Sequence, residues 1–405
     1  MIPRESYLAK LRPFIDQPEI VKVITGIRRS GKSVLLRLVQ DELLGRGIAR
    51  ENILSLNFED MLLAEFRNAE RLHQHVKTTA DRVEGRTYLF LDEIQEVDGW
   101  ERCINSLRVN ANVDIFLTGS NARLLAGEHA TLLAGRYMEM QIHPFSLREF
   151  QAAIAEKQPD LPPAVVFQQY VKQGGMPFLF QLESEEARRQ YLQDIYASIV
   201  IKDIMKRNGF RDVDLLERII LYVLANIGRT FSANSISKFL KSEKRSVSPE
   251  TVMNYLKGCE DAFLFKKARR FDIEGKKLLQ INEKYYLADH GVREAVYGYN
   301  QRDIELILEN MVFLELLRQG YQLSIGRMGD REIDFVCNKA SERIYVQVCY
   351  LLASEDTIER EFGVYDEIPD HFPKYVISLD EFDMGRKGVR HLNAREFLLH
   401  GFPKA

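Results

Sequence analysis

The residues that could do chemistry begin with a glycine-bounded loop between Val23 and Leu36, where a lysine and a serine follow the second glycine. The loop fits the spacing G-x-x-x-x-G-K-[ST], with an apolar run before it and helically spaced apolar residues after it. Backbone N–H groups of such a loop, together with the N-terminus of the next helix, form an anion site. We therefore expect a phosphate site made by Gly26, Ile27, Arg28, Arg29, Ser30, Gly31, Lys32, Ser33 and Val34. Within it, Lys32 would reach the β- and γ-phosphates of ATP, and the Ser33 hydroxyl would bind Mg²⁺.

Two adjacent carboxylates, Asp92 and Glu93, follow the apolar run Tyr88–Leu91 and form the second candidate element. If that run is a strand of a parallel sheet, its carboxyl end lies beside the phosphate loop. Asp92 would then hold Mg²⁺ directly or through water, and Glu93 would orient and deprotonate the attacking water. The alternative is a pair of solvated carboxylates at a strand end.

Polar residues that follow the next strand candidate could sense the γ-phosphate, and these are Thr118, Ser120 and Asn121. The sequence does not choose between them, although we count Ser120 among the nucleotide-binding residues; simple turn formation is the alternative. Arg136 stands before the fifth strand candidate. In a ring it could reach a neighbouring subunit's γ-phosphate as a catalytic arginine finger, which requires a homo-oligomer. A surface arginine is the other interpretation.

The elements that must position these residues alternate between short apolar runs and helical stretches. Strands separated by helices predict an α/β fold with a parallel sheet covered by helices on both faces. The five strand candidates are Ile20–Thr25, Ile53–Phe58, Thr87–Leu91, Val113–Leu117 and Tyr137–Ile142.

Several longer motifs extend these patterns along the chain: T-G-I-R-R-S-G-K-S, L-F-L-D-E-I-Q, F-L-T-G-S-N, A-G-R-Y-M-E-M-Q-I-H-P-F-S-L-R-E-F, Q-G-G-M-P, E-I-D-F-V and Y-V-Q-V-C-Y. On these motifs the chain resembles the AAA+ P-loop ATPases, and more closely a widespread prokaryotic group with a C-terminal domain of unknown function. The resemblance spans nearly the whole chain. It implies an AAA+ core at 1–145, a helical lid at 146–210, a winged-helix-like segment at 211–297 and a restriction-endonuclease-like domain at 298–405.

The segment from Lys241 to Lys277 carries ten Lys or Arg against six Asp or Glu, whereas the whole chain has a net charge of −3. Two short helices are expected at 232–240 and 248–258, followed by a strand and a basic wing. The clustered basic residues are Lys266, Lys267, Arg269, Arg270, Lys276 and Lys277. This pattern predicts contact with DNA phosphates, and a protein–protein module is the alternative.

In the last domain, Glu332 and Asp334 share one face of a predicted strand, and Gln347 and Cys349 share a face of the next. A restriction-type nuclease needs an acid and a lysine where Gln347 and Cys349 stand. We therefore expect the fold without DNA cleavage. Glu315, on a predicted apolar helix, could join Asp334 in holding a weak ion, although structural roles are the simpler interpretation.

Composition sets the outer limits of function. The 405-residue chain has scattered cysteines, no signal-peptide pattern and no apolar run of bilayer length, so we expect a reduced, cytoplasmic protein without membrane contact. The favoured function is hydrolysis of ATP with Mg²⁺, coupled to conformational change on DNA or another macromolecule. The alternatives are a nucleotide-dependent switch or scaffold with negligible turnover and, with less support, a DNA nuclease.

Overall fold

The computed structural model describes residues 2–125, 133–275, 277–368 and 370–403, with the backbone alone for 277–282. The chain divides into two compact units. The first comprises Met1–Ile142 with Asp261–Phe263, and the second comprises His143–Glu260 with Leu264–Ala405. The finer division into four domains stays a prediction.

Five strands of the first unit form one parallel sheet in the order β2-β3-β4-β1-β5. The strands are β1 (Val21–Thr25), β2 (Ile53–Asn57), β3 (Thr87–Asp92), β4 (Val113–Gly119) and β5 (Tyr137–Gln141). The helices are α1 (Glu5–Leu11), α2 (Lys32–Gly45), α3 (Ala69–Ala80) and α4 (Trp100–Asn110), with 3₁₀ turns at Arg12–Phe14, Arg50–Asn52, Met61–Phe66, Ile94–Glu96 and Ala122–Leu125. The predicted α/β fold with a parallel sheet is confirmed.

Apolar side chains fill both faces of this sheet. All six residues of β3 are buried, as expected for a strand covered on both sides. Leu89 and Leu91 pack in the cluster that includes residues of α3 and α4, while Phe90 packs with residues of α1 and α2. Successive side chains of the strand thus pack against helices on opposite faces of the sheet, and polar residues lie at the carboxyl edge of the sheet.

The second unit contains a helical part and a mixed sheet. Its helices are α5 (Leu147–Ala155), α6 (Pro163–Gln173), α7 (Glu185–Ser198), α8 (Val213–Ala225), α9 (Ala233–Ser242), α10 (Pro249–Asp261), α11 (His290–Tyr297), α12 (Ile304–Arg318), α13 (Glu355–Gly363) and α14 (Ala394–His400). A π-helix follows α7 at Ile199–Lys206, and 3₁₀ turns lie at Pro177–Gln181 and Gln301–Asp303. The two short helices expected before the basic run are therefore present as α9 and α10.

Seven strands form the second sheet, in the order β12-β11-β10-β9-β8-β6-β7. They are β6 (Phe265–Asp272), β7 (Lys277–Leu287), β8 (Gln322–Met328), β9 (Arg331–Lys339), β10 (Glu342–Val348), β11 (Lys374–Ser378) and β12 (Arg390–Asn393). The expected wing corresponds to β6 and β7, and β6 also pairs with β8. The basic run thus lies on an interior strand of a larger sheet, and the winged-helix and restriction-endonuclease-like assignments stay predictions.

No helix in the described part of the chain is both long and apolar enough to cross a bilayer.

Candidate nucleotide site

The loop between β1 and α2 has the backbone expected of a phosphate loop. Gly26 has φ 147°, and a Cβ there would meet the Ile142 carbonyl oxygen at 2.5 Å, so only glycine fits. Arg29 and Gly31 also have positive φ, at 66° and 99°. In the described residues, no side chain caps the amino end of α2, so its first N–H groups are available to a ligand's oxygens.

Lys32 is nearly buried and folds back over its own loop. Its Nζ donates to the carbonyl oxygens of Gly26 at 3.2 Å and Ile27 at 3.3 Å. It also lies 3.5 Å from Glu93 Oε1. The ammonium is therefore held at the mouth of the loop by contacts that a phosphate oxygen can replace.

Asp92 and Glu93, here called the acid pair, end β3 beside the loop. The hydroxyls of Ser33 and Thr118 donate to the Asp92 carboxylate. Burial raises the pKa of Asp92, although these two hydroxyls oppose the shift. Thr118 Oγ1 also accepts the N–H of Glu93 at 2.9 Å. Thr118 thus fixes both members of the acid pair.

Glu93 adopts a left-handed conformation, with φ 54° and ψ 49°, that is uncommon for residues other than glycine. Its carboxylate accepts hydrogen bonds from the Gln95 amide and from Ser120. Burial opposes its ionisation, but the Lys32 ammonium, the Gln95 amide, the Arg28 guanidinium and the Ser120 hydroxyl together outweigh burial, and the net pKa of Glu93 is lowered. Glu93 is therefore an ionised carboxylate beside the phosphate loop. Its uncommon backbone conformation is of a kind that occurs often at functional sites.

Gln95 was missed by the sequence reasoning, although it stands two residues after Glu93 in L-F-L-D-E-I-Q. Its Nε2 donates to Glu93, whereas its buried Oε1 has no hydrogen-bond partner among the described residues. The amide thus presents a spare acceptor beside the acid pair. A glutamine two positions after a strand-ending acid is the only local signal that the sequence offered.

The remaining polar residues predicted for the site differ in what their side chains contact. Ser120 contacts Glu93, as described above, whereas Asn121 Oδ1 accepts the N–H of Arg123 at 2.7 Å and so stabilises a turn. Arg28 lies 3.2 Å from Glu59. Arg29 is exposed. The structure therefore brings Thr118 and Ser120, but not the Asn121 side chain, to the acid pair.

Arg136 lies at the opposite edge of the sheet from the phosphate loop. It is exposed and directly precedes β5, and its carbonyl oxygen accepts the N–H of Val21 at the start of β1 at 2.9 Å. The phosphate loop follows the other end of β1, about 16 Å away at a rise of about 3.3 Å per residue. Arg136 therefore does not reach the loop of its own chain, and its catalytic role in a neighbouring subunit stays a prediction.

In the second unit, Glu315 and Asp334 do not come together as a pair. Glu315 accepts from Gln319 at 3.2 Å and lies 3.4 Å from Arg318. Asp334 instead lies 3.3 Å from the Nζ of Lys284 on β7, a residue that the sequence reasoning did not consider.

Lys284 lies among three carboxylates, at 3.1 Å from Glu309, 2.9 Å from Glu332 and 3.3 Å from Asp334. Gln347 Oε1 accepts the N–H of Asp334 at 3.1 Å. The acid on α12 that shares this site is therefore Glu309, which lies six positions before Glu315 on a different face of the helix.

Much of the basic run on β6 is paired with acids. Lys267 lies 3.6 Å from Glu260 and 3.4 Å from Glu283, and Arg270 lies 3.9 Å from Glu332. Lys276 lies outside the described residues, as does the side chain of Lys277. The excess of basic over acidic residues counted in the sequence therefore overestimates how basic the surface of this segment is.

Comparison with known proteins agrees with this geometry. The AAA domain family matches residues 19–151, and a domain of unknown function matches residues 165–303. An uncharacterized protein of Haemophilus influenzae is 41% identical over 379 residues, covering 93% of each chain. An uncharacterized protein of Methanocaldococcus jannaschii is 28% identical over 364 residues, covering 86% of this chain and 79% of that one.

Among solved structures, a Walker-type ATPase of Pyrococcus abyssi superposes with a TM-score of 0.52 at 16% identity, over 73% of this chain and 96% of that one. At this identity the likeness concerns the fold alone. The chain belongs to the same protein family as the Haemophilus influenzae protein, and its first unit carries an AAA domain with the fold of a P-loop ATPase.

Proposed function

We propose that the protein binds ATP with Mg²⁺ and hydrolyses it at the edge of the first sheet. One observation carries the proposal: the phosphate loop and the acid pair already form a single contact network. In that network Ser33 contacts Asp92, and Lys32 contacts Glu93. A structural role alone would not require an ionised glutamate beside the lysine of a phosphate loop.

The donor set fits a hard cation. A serine hydroxyl and an aspartate carboxylate in contact with each other are the oxygen ligands that Mg²⁺ uses beside nucleotide phosphates. Ser33 and Asp92 would hold the ion, which would neutralise charge on the phosphates. Lys32 exchanges Glu93 and its loop carbonyls for the β- and γ-phosphate oxygens of ATP.

Once Lys32 turns to the phosphates, Glu93 is free to accept a proton from the attacking water. In this proposal the Oε1 of Gln95, which has no hydrogen-bond partner among the described residues, accepts a second hydrogen bond from that water. Thr118 holds the backbone of Glu93 and the carboxylate of Asp92 in place while Lys32 moves from Glu93 to the phosphates.

The test is steady-state ATP hydrolysis by the purified protein with Mg²⁺, beside Lys32→Ala and a chelator control. We expect turnover only in the wild type with Mg²⁺. Tight ATP binding by the wild type with no turnover under any condition would favour the alternative, a nucleotide-dependent switch.

We further propose that turnover is coupled to conformational change on DNA. The support is the exposed basic residues that remain in the 241–277 segment, among them Lys241, Lys244 and Arg269. Fluorescence anisotropy with labelled duplex DNA at low salt tests this, using a Lys241→Glu/Lys244→Glu variant beside the wild type. We expect weaker binding by the variant; no binding by the wild type at low salt would leave a protein partner as the better choice.

A further inference from the structure

Arg4 lies outside the matched AAA domain, yet it reaches the phosphate loop. The residue stands just before α1 and is only 1% exposed. Its Nη1 donates to the carbonyl oxygen of Ser30 at 3.0 Å, and its guanidinium lies 4.7 Å from the ring centroid of Tyr7. A buried arginine needs hydrogen-bond acceptors, and the Ser30 carbonyl oxygen of the phosphate loop is one of those that Arg4 contacts.

The first helix fixes where Arg4 lies. The carbonyl oxygen of Arg4 accepts the N–H groups of Tyr7 and Leu8 at 2.9 and 3.0 Å, so the residue is the N-cap of α1. Tyr7, Leu8 and Leu11 are buried in the same cluster as the apolar face of α2. The position of the guanidinium is therefore set by packing against the helix that begins at the phosphate loop.

The peptide between Ser30 and Gly31 is the one that Arg4 holds. Gly31, on one side of this peptide, has φ 99°, and Arg29, the residue before Ser30, has φ 66°. In a planar trans peptide the C=O and N–H bonds point in opposite directions. When Arg4 holds the Ser30 carbonyl on its side, the Gly31 N–H must point to the other side, as one of the successive N–H groups that surround an anion.

We propose that Arg4 is a positioning residue for nucleotide binding, which keeps the Ser30–Gly31 peptide in the orientation that presents the Gly31 N–H to a phosphate. The inference rests on the proposed function of the phosphate loop. Without the guanidinium, the peptide next to a glycine can rotate at little cost, and the loop loses a donor. The segment before the AAA match is then part of the nucleotide site.

The test compares wild type with Arg4→Ala and Arg4→Lys, with Arg12→Ala as a matched control. Arg12 stands on the same N-terminal segment but pairs with Glu5 and Glu42 and not with the phosphate loop. For each protein we measure calorimetric affinity for a non-hydrolysable Mg–ATP analogue, KM and kcat for ATP, and the melting temperature without nucleotide.

We expect Arg4→Ala to weaken affinity and raise KM by about ten- to a hundredfold, as for a lost charge-assisted hydrogen bond, with a much smaller change in kcat. Arg4→Lys should recover part of the affinity, and methylguanidinium should rescue Arg4→Ala. Arg12→Ala should keep wild-type affinity. Wild-type affinity in both Arg4 variants, or equal losses of affinity in Arg12→Ala and Arg4→Lys, would overturn the proposal.

The outcomes also separate this inference from the proposed hydrolysis. A wild type that binds the analogue but never turns over ATP refutes hydrolysis, while the affinity series still decides the role of Arg4. If Arg4→Ala does not fold, Arg4→Lys, which keeps the positive charge but not the planar donor, carries the same comparison. A wild type with no affinity for nucleotide refutes both.

Discussion

Replacing Glu93 with glutamine separates nucleotide binding from hydrolysis in this site. The amide keeps the shape of the side chain and its hydrogen bond with Gln95, but it cannot accept the proton of the attacking water. It also removes the charge that holds Lys32 at 3.5 Å in the ligand-free structure. The substitution should therefore act in opposite directions on turnover and on affinity.

The size of each effect follows from the contacts. Loss of a general base lowers turnover by about 10²- to 10⁴-fold. The Lys32 and Glu93 side chains are only 4% and 12% exposed, so their contact is weakly screened. An interaction with a charged partner contributes about 1.5–3 kcal/mol, and Lys32 must give up at least part of it to bind phosphate. Because about 1.4 kcal/mol is tenfold in Kd, giving up about half of the larger value would make Glu93→Gln bind ATP about tenfold more tightly.

The assay measures steady-state kcat together with equilibrium affinity for Mg–ATP. Glu96→Gln is the matched control, because it makes the same change of charge three residues later, at an exposed position outside the site. The control should keep wild-type kcat and affinity. A Glu93→Gln variant that retains more than a tenth of wild-type kcat would refute the assignment of Glu93 as the base. Weaker affinity for ATP in that variant would refute the exchange of Lys32 between carboxylate and phosphate.

Three further changes test other parts of the structure. Thr118→Val removes the hydroxyl that fixes the acid pair, so kcat should fall about tenfold or more while Thr118→Ser stays near wild type. Equal kcat in the two variants would contradict this role. Arg136→Ala should lower kcat without changing ATP affinity, and mixing it with inactive Lys32→Ala should restore turnover if the arginine acts across subunits. No recovery on mixing would contradict the role in a neighbouring subunit. Burial, with a further contribution from Asp334, raises the pKa of Glu309 to about 7 despite Lys284, so the folded state holds more protons than the unfolded state up to that pH. Stability should therefore fall as pH rises from about 4.5 to about 7. Over this range the melting temperature of Glu309→Gln should fall less than that of wild type or of the exposed control Glu305→Gln. Identical plots of melting temperature against pH for the three proteins would contradict the raised pKa of Glu309.

The parts of the fold that sequence could predict are those that local pattern and one topological rule determine. The apolar runs predicted at Ile20–Thr25 and Thr87–Leu91 are each bounded by polar or glycine residues, and each contains a buried strand. Because carboxyl ends of parallel strands share one edge, two local motifs sufficed to place Lys32 beside Glu93. That the two elements are neighbours could be predicted without knowledge of the helices.

The residues that sequence reasoning missed depend on contacts between distant segments. Arg4 is 26 residues from Ser30, and its significance follows only from the packing of α1 beside α2. Gln95 is close in sequence to Glu93, but the left-handed backbone at Glu93 decides that its amide turns back to the carboxylate. Neither the docking of a short helix nor a strained backbone angle is encoded in residue spacing.

The acids of the second unit show how one distant contact changes a chemical argument. The expectation of no DNA cleavage was based on Gln347 and Cys349, which stand where a nuclease needs an acid and a lysine. Lys284, on another strand, supplies an ammonium 3.3 Å from Asp334. That ammonium also lies within 3.1 Å of both Glu309 and Glu332, so it occupies the position among the carboxylates that a metal ion would need. The prediction that this unit does not cleave DNA therefore rests on Gln347, which replaces an acid, and on where Lys284 lies, and no longer on the lack of a lysine.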